Sequence, residues 1–446
     1  MKYNFAQGLY TDVRIEHVYS AEIAYTMRDL KECKEKRYSA AFIRVYDGQM
    51  WYYASTSDLN GIQDEINALA ALAQKNPHIA ETAVYKNLST HKDEVMAFVG
   101  REVSDVPLDT KIALLQKAMP IIEKNKYVKL WRVWYEDNYT IKEFYNSKGA
   151  NLIFDWQQCG FSARFAMMDG DKKTDGSSPH AGIAFTDLVG FEPLLEESLA
   201  EHQDYLLNSE PVVPGKYPVI FAPIVTGVFV HECFGHKSES DFMIGDEATR
   251  QEWKLGKKVA CEDLTIAETG NIIGNGYTPY DDEGNKATMT YLIKNGILTG
   301  RLHNAESAAD LGESVTGNGR AVNFEYEPIV RMTTTYIDKG PKTYDELIAE
   351  TENGILLKTV SHGSGMSTFT IAPILAYTVK NGKIDKPVRV SVVTGNVFEA
   401  LGDIDGITNK VEMKSFVGGG CGKMRQFPLP VGFGGPYIRV NNMTVH

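Results

Sequence analysis

The sequence predicts an α+β protein of two domains, in which antiparallel or mixed sheets pack against helices. Three observations favour this class. Segments rich in β-branched and aromatic residues come in runs, and so do segments with helical periodicity, whereas a βαβ series would alternate them. Asp-Gly and Asn-Gly pairs lie between strand-like segments, as in tight antiparallel hairpins. The chain has 446 residues and 43% hydrophobic residues, which is enough for two cores.

The N-terminal domain is expected to span residues 1–210. Residues 8–55 predict antiparallel strands, and Asp47-Gly48 within them predicts a tight type I′ hairpin. Residues 127–168 are rich in β-branched and aromatic residues and predict three more strands, followed by a polar loop over residues 169–179. Apolar residues at helical spacing predict helices over residues 60–74, 109–124 and 190–209.

The second domain is expected to span residues 211–446, after a linker at residues 210–215 that contains two prolines and a glycine. A short buried strand at Tyr217–Phe221 leads into a helix over the following residues. Farther along, Asn295-Gly296 and Asn381-Gly382 each separate two strand-like segments and predict hairpins. The turn-rich segments after residue 240 indicate that antiparallel sheet dominates this domain.

The composition argues against two classes of partner. The formal net charge is −12, and the sequence has no basic cluster of the kind that binds phosphate, so we expect no nucleic-acid partner. There is no signal-peptide pattern and no apolar segment long enough to span a membrane, so a cytoplasmic protein without membrane contact is expected. The five cysteines are scattered and odd in number, which is typical of reduced thiols.

The segment His231-Glu232-Cys233-Phe234-Gly235-His236 is the strongest indication of chemistry. Two imidazoles flank a carboxylate, which is similar to the zinc-peptidase arrangement of two ligands and a general base on one helix. Positions five apart lie roughly 140° apart around a regular α-helix, so one ion can bind both histidines only if the helix widens. We therefore predict a π-type turn, which Gly235 would ease. The alternative is a helix end with two unrelated histidines.

A second indication lies near the C-terminus, where Cys421 stands among the glycines of Val417–Gln426. Glycines allow the backbone to approach a site closely, so this thiol can reach a metal. The acidic turn Asp281–Gly284 lacks the ligand spacing of a calcium loop and suits a supporting role. The glycine-rich segment Thr316–Arg320 lacks the Lys-Ser/Thr ending of a phosphate-binding loop.

Taken in order, these segments resemble the TldD/PmbA family, often labelled modulators of DNA gyrase. The similarity covers about residues 213–446, while the N-terminal half is similar only in layout. The matching segments are the histidine motif, the acidic turn, Thr316–Arg320, residues 331–336, residues 382–384 and the glycine-rich cysteine segment. Because the chain keeps the motif and Cys421, it is identified as a catalytic, TldD-type member.

The resemblance implies a zinc-dependent peptidase that hydrolyses short or unfolded peptides. Zn²⁺ would be held by His231, His236 and Cys421, with Glu232 as the general base. Glu239 and Asp241 fall at positions where the family carries acidic residues, and they are candidates for orienting a ligand histidine. The resemblance also implies a dimer, either a homodimer or a heterodimer with a homologue that lacks the motif.

Several assignments stay open at the level of sequence. Arg320 and Arg331 are candidates for binding a substrate carboxylate, although structural ion pairs are the commoner fate of arginines. Arg425 stands where the family usually has glycine, which affects the expected substrate preference. The alternative function is a non-catalytic regulatory protein with a structural or vestigial zinc site. Serine hydrolysis through Ser364 and His362 is weaker still, because the segment lacks the nucleophile-elbow pattern.

Overall fold

The computed structural model describes residues 2–365 and 367–446. The elements of the N-terminal half are β1 (Tyr10–Thr26), β2 (Asp29–Tyr46), β3 (Trp51–Thr56), α1 (Ile62–Leu72), α2 (Ala83–Asn87), β4 (Lys92–Val95), α3 (Leu108–Glu123), β5 (Val128–Asn146), β6 (Asn151–Asp169), β7 (Lys172–Gly182) and α4 (Glu192–Asn208). The predicted α+β class is confirmed.

The C-terminal half contains many short strands. Its elements are β8 (Glu210–Pro211), β9 (Gly215–Phe221), α5 (Pro223–Phe229), α6 (Glu247–Glu252), β10 (Ile266–Glu268), β11 (Thr290–Lys294), β12 (Ile297–Leu298), α7 (Ala305–Leu311), β13 (Gly319–Arg320), β14 (Ile329–Val330), β15 (Thr334–Ile337), α8 (Tyr344–Ala349), β16 (Asn353–Gly365), β17 (Thr368–Lys380), β18 (Lys383–Arg389), β19 (Val393–Asn396), α9 (Val397–Gly402), β20 (Ile404–Ile407), β21 (Glu412–Lys414), β22 (Cys421–Lys423), β23 (Gln426–Leu429), β24 (Gly432–Gly435) and β25 (Ile438–Val445).

The N-terminal strands form one sheet in the order β3-β2-β1-β5-β6-β4, and β7 pairs with β6. Strands β1, β2, β5 and β6 are unusually long, so they build a broad twisted surface. One face is covered by α3 and α4, because Leu115, Ile122 and Leu195 on these helices are buried against strand residues. The helix predicted over residues 60–74 is observed as α1, which buries Ile62 and Ile66 in a separate core.

Two predictions for this half were wrong. Residues 127–168 form two long strands, β5 and β6, rather than three, because both strands continue without interruption along each other. Residues 169–179 are mostly strand rather than loop, since β7 pairs antiparallel with β6 from Lys172 onward. The residues of β7 are mostly small or polar, and hydrogen bonds to β6 hold the strand at the sheet edge without an alternating apolar pattern.

The three hairpins predicted from the sequence are present in the structure. Asn295 and Asn381 adopt φ values of +50° and +49°, and the glycine after each also has positive φ, as a two-residue hairpin turn requires. The hairpin between β2 and β3 is also present, but its loop runs from Asp47 to Met50. The Asp47 carboxylate accepts hydrogen bonds from the backbone N–H groups of Gln49 and Met50, which stabilises this longer turn instead of a type I′ turn.

The C-terminal half is built around a mixed sheet that closes on itself through β16, β9, β25, β19 and β17. A second sheet has the order β12-β11-β10-β15-β24-β21 and includes a parallel pairing of β15 with β24. Both contribute to one large core that includes Phe229, Phe234 and Trp253. No helix among the described residues has the length and apolar character needed to cross a membrane.

Buried ion pairs join the N-terminal sheet to the acidic turn at residues 281–284. Lys142 Nζ lies 2.6 Å from Asp282 Oδ1, and Arg44 Nη1 lies 3.1 Å from Glu283 Oε1. Arg14 also approaches Asp282, at 3.8 Å. Both carboxylates are almost fully buried. The turn therefore contributes to the contact between the two halves.

Removing the Asp282 charge should weaken this joint. Burial alone would raise the pKa of Asp282, but Lys142 and Arg14 outweigh it and lower the pKa from 3.8 to about 2. We expect Asp282→Asn to reduce the free energy of unfolding at pH 7 by about 2–3 kcal/mol, measured by denaturant titration. Because the folded pKa is the lower one, this stabilisation is complete above about pH 5 and is lost as the pH falls from about 4 to about 2.

The matched control is Asp385→Asn, since Asp385 pairs with Lys380 on the surface. Exposed pairs contribute little, so this variant should unfold like the wild type. Equal stability of the Asp282→Asn variant and the wild type at pH 7 would show that the buried pairs do not hold the two halves together.

Candidate metal centre

The histidine motif lies where a strand feeds a helix. Strand β9 leads through Ala222 into α5, which begins with Pro223 and continues as a π-helical turn over Val230–Gly235. The backbone N–H of His236 donates to the carbonyl of His231, five residues earlier, which is the hydrogen bond that defines a π turn. The predicted widening of the helix is therefore confirmed.

Gly235 has a different role from the predicted one. Its backbone is right-handed helical, with φ −56°, so the turn does not require the conformational freedom of glycine. A Cβ atom at this position would lie 2.1 Å from Met332 Sδ, which is a severe clash. The absence of a side chain at Gly235 makes room for Met332, which is buried just before β15 and packs directly against the motif.

The structure brings His231, His236 and Cys421 together. One ligand atom from each lies within 4.8 Å of the others, and Cys421 Sγ is 3.3 Å from His236 Nε2. The centroids of the two imidazole rings lie 5.2 Å apart, and the angle between the ring planes is 76°. Tetrahedral Zn²⁺ with ordinary bond lengths separates a sulfur and a nitrogen ligand by about 3.5 Å. The cluster therefore fits a metal of this size with small adjustments.

Two further features suit a metal. His231 is buried, and its Nδ1 atom has no hydrogen-bond partner among the described residues, which is costly unless the ring has another ligand. Burial would raise the pKa of Cys421, but His231 and His236 outweigh it and lower the pKa to about 5. The thiolate, which is the form that binds metals, is thus favoured at neutral pH.

Glu239 lies behind His236. Its Oε2 atom is 3.0 Å from His236 Nδ1, on the side of the ring opposite the cysteine. Burial opposes protonation of His236, yet Cys421 and Glu239 raise its pKa to about 10. A carboxylate in this position fixes the orientation of a metal-binding imidazole and makes it a stronger ligand. This geometry supports the role predicted for Glu239.

Asp241 contacts Lys423, a residue that the sequence analysis missed. Lys423 Nζ lies 2.6 Å from Asp241 Oδ1 and 3.2 Å from Glu239 Oε2, and it is almost fully buried. Cys421 and Lys423 are two apart on β22, so their side chains point to the same side of the strand. This alternation of side chains along a strand is the sequence pattern that could have identified Lys423. Asp241 is thus connected to His236 through Lys423 and Glu239.

The two arginines proposed for substrate binding have structural contacts. Arg331 is fully buried, and its guanidinium donates to the carbonyl oxygens of Cys421 and Gln426. This arrangement favours positioning of the Cys421 backbone over contact with a substrate. Arg320 donates to the carbonyls of Met332 and Pro430. It also lines a cavity of about 200 Å³ between the N-terminal sheet and residues 428–430, so it remains the better candidate of the two.

Glu232 is half-buried on the π turn, next to the distal part of β16. A Cβ atom on Gly363 would lie 3.3 Å from Glu232 Cγ and 2.6 Å from Val228 Cγ1, so the strand passes very close to the motif. Arg425 is exposed in the turn between β22 and β23. His362 contacts Ser361 rather than Ser364, so the structure offers no support for a serine nucleophile.

Comparison with known proteins decides the family. Residues 214–446 match the model of the PmbA/TldA metallopeptidase C-terminal domain, and residues 11–76 match that of domain 1. A protein named metalloprotease from Methanothermobacter thermautotrophicus is 31% identical over 98% of this chain and 95% of its own length. The chain belongs to the PmbA/TldD family. It is accordingly a metallopeptidase.

Two further comparisons agree with this membership. A zinc metalloprotease TldD homolog from Saccharolobus solfataricus is 28% identical over 98% of this chain and 96% of its own length. The crystal structure of a protein described as a putative modulator of a DNA gyrase, from Thermotoga maritima, superposes with a TM-score of 0.81. That structure covers 98% of this chain and 96% of its own at 19% identity, so it shows the shared two-domain fold.

Proposed function

We propose that this chain is a zinc-dependent peptidase acting on short or unfolded peptides, with Zn²⁺ held by His231, His236 and Cys421. The observation that carries the proposal is the convergence of these three side chains beside Glu232, within 4.8 Å of one another. Two nitrogen ligands and one thiolate are a ligand set that zinc favours, and three protein ligands leave a fourth position open, as in catalytic sites. The relative named a zinc metalloprotease also supports this metal.

Bound zinc would supply Lewis-acid chemistry by activating a water molecule near neutral pH and polarising the scissile carbonyl. Glu232 follows a ligand residue directly and is not itself part of the cluster. Its carboxylate would accept a proton from the attacking water and deliver it to the departing amine. A structural zinc site has no need of such a carboxylate, which favours the enzyme over the regulatory alternative.

The preference for short or unfolded peptides rests on an unpaired strand edge. Strand β16 pairs with β9 only at Ile355–Leu357, and the pairing with β17 occupies the other edge of β16 up to Gly365. Its distal edge therefore lacks a partner among the described residues, close to Glu232. An extended peptide can add to such an edge through main-chain hydrogen bonds, which requires a substrate segment without its own secondary structure.

We also propose a domain boundary at residues 210 and 211. Within the described residues, strands β1–β7 pair only with one another, and so do the strands from β8 onward. The short pairing of β8 with β18 joins Glu210 and Pro211 to the second sheet system, so the boundary falls within one residue of its first strand.

Metal analysis of the Cys421→Ser variant tests the ligand set. We expect the wild type to bind about one zinc per chain and the variant to bind it on the order of 100-fold more weakly, because a serine hydroxyl is not ionised at neutral pH. The zinc content measured by elemental analysis after dialysis against a series of chelators gives the zinc affinity of each protein. Hydrolysis of an unfolded polypeptide, measured in parallel, should stop when the metal is removed.

Cys261→Ser is the matched control, since Cys261 is half-buried and lies outside the cluster. It should retain wild-type zinc affinity and activity. Equal zinc affinity in the Cys421→Ser variant would remove Cys421 from the ligand set. Full zinc content without hydrolysis of any unfolded polypeptide would favour the regulatory alternative.

A further inference from the structure

Two arginines lie side by side on the N-terminal sheet. Arg132 on β5 and Arg164 on β6 are directly opposite each other in the register of these antiparallel strands, and both side chains are exposed. Their guanidinium carbons lie 5.6 Å and 4.8 Å from the centroid of the Trp134 ring, so both groups cover the same indole. Like charges directly opposite one another are destabilising. The sheet therefore holds these two residues, here called the arginine pair, together against their mutual repulsion.

The positive charge of the arginine pair is poorly neutralised. Arg132 Nη2 approaches Glu32 Oε2 only to 3.8 Å, and the Glu32 carboxylate accepts a hydrogen bond of 2.8 Å from Lys34. Arg164 forms no ion pair among the described residues, although Asp175 lies diagonally across from it on β7. Guanidinium groups are planar and present several N–H donors that match the two oxygens of a carboxylate. The pair is thus suited to binding an anion from outside the chain.

The arginine pair lines a cavity of about 610 Å³ between the N-terminal sheet and β16. Val360 and Ser361 of β16 line the same cavity. Two residues farther along this strand, a Cβ atom on Gly363 would lie 3.3 Å from Glu232 Cγ. Two residues of a strand span about 6–7 Å. An extended peptide that pairs with the distal edge of β16 and reaches Glu232 therefore passes the arginine pair within two or three residues.

A second set of contacts connects the arginine pair to the metal centre. The Trp134 side chain is buried, and a Cβ atom on Gly418 would lie 3.1 Å from its Nε1 atom. Gly418 is three residues before Cys421. On the neighbouring strand, a Cβ atom on Gly160 would lie 2.7 Å from Val417 Cγ1, so the sheet packs directly on the glycine-rich segment. The contacts through Trp134 and those through β16 independently place the arginine pair beside the site.

We propose that the arginine pair binds a carboxylate of the peptide substrate and thereby selects peptides with an anionic group two or three residues from the scissile bond. This inference rests on the proposed peptidase function. The carboxylate belongs either to an acidic side chain or to the C-terminus of the peptide, which present the same planar anion. Packing on Trp134 alone does not call for the pair, since one arginine beside an uncharged residue would cover the ring without repulsion.

Peptide hydrolysis by the zinc-loaded protein tests the preference for an acidic side chain. The substrates are amidated peptides that differ only by Glu or Gln, placed at each of three positions on either side of the cleaved bond. We expect kcat/KM to be about tenfold higher for the Glu peptide at two or three residues on one side of that bond. The Arg132→Gln/Arg164→Gln double variant should bring this ratio close to one.

Arg101→Gln is the matched control, because Arg101 is also exposed and lies 5.3 Å from the ring of Phe98 but does not line the cavity. It should keep the wild-type ratio of Glu to Gln peptides. The second source of the carboxylate is tested by comparing the free acid and the amide of one Gln peptide. A higher kcat/KM for the free acid, lost in the double variant, would assign the pair to the C-terminus of the substrate.

Equilibrium binding tests the arginine pair independently of turnover. In the Glu232→Gln background, fluorescence anisotropy of labelled peptides should give a dissociation constant about tenfold lower for the favoured carboxylate peptide than for its neutral counterpart. Arg164→Glu in the same background should reverse the preference toward a peptide with Lys at that position. Equal dissociation constants for the acidic, free-acid and neutral peptides would overturn the inference.

The outcomes separate this inference from the proposed function. Hydrolysis without any preference for a carboxylate would overturn only the role of the arginine pair. If no peptide were hydrolysed, the peptidase function would fail, and the binding measurement would still decide whether the pair holds a carboxylate. The double variant should unfold at the same or a higher denaturant concentration, because it removes repulsion. A lower midpoint with an unchanged substrate ratio would show that the pair is structural.

Discussion

Replacement of Glu232 by glutamine is expected to lower kcat/KM for an unfolded polypeptide by about 10²- to 10⁴-fold while zinc content stays at the wild-type level. Glutamine has nearly the same size as glutamate but cannot accept a proton in the reaction. Glu232 is half-buried and does not belong to the cluster of His231, His236 and Cys421. The loss should therefore appear in turnover and leave metal binding unchanged.

Glu247→Gln is the matched control for this prediction. Glu247 lies on α6, a short distance along the chain from the motif, and its side chain is 69% exposed. The same change of charge there should leave both activity and zinc content unaltered. If Glu232→Gln kept most of the wild-type turnover, the proposed general base would be wrong. If it lost zinc as well, the carboxylate would have to be placed among the ligands.

Substitution of Lys423 by methionine should have the largest effect on stability. Lys423 is the buried partner of both Asp241 and Glu239, and it also donates to the carbonyl of Val330. Methionine keeps most of the volume but removes the charge, which leaves Asp241 without its cation and leaves Glu239 paired only with His236. Removing one partner of a buried ion pair costs about 3–5 kcal/mol, so the midpoint of denaturant unfolding should fall accordingly.

The same variant should also weaken the metal site. Glu239 holds the ring of His236 from behind, and Lys423 holds Glu239. Loss of such supporting contacts typically lowers metal affinity by about 10- to 100-fold. Lys414→Met is the control, because Lys414 pairs with Glu412 at a partly exposed position and should change little. Wild-type stability and zinc affinity in the Lys423→Met variant would show that the site does not depend on this cation.

Sequence patterns were sufficient to predict the features that depend on the backbone geometry of neighbouring residues. The Asn-Gly hairpins form because both residues accept positive φ, and the spacing of His231 and His236 required a widened turn for convergence, which the structure contains. The segment around Cys421 also stood out in the sequence, because a thiol among glycines is unsuited to filling a core. The residues brought together at the centre were therefore accessible from the sequence.

The sequence by itself determined the α+β class and the π turn, since each depends on residues close in the chain, and the family resemblance supplied the three side chains of the cluster. Only the tertiary structure decided the supporting contacts. Lys423 meets Glu239 across 184 positions, and Arg331 reaches the Cys421 carbonyl across 90. Such contacts depend on how strands from distant segments pack together, which the spacing of neighbouring residues cannot predict. The pairing of β7 with β6 was likewise decided by the neighbouring strand rather than by its own composition.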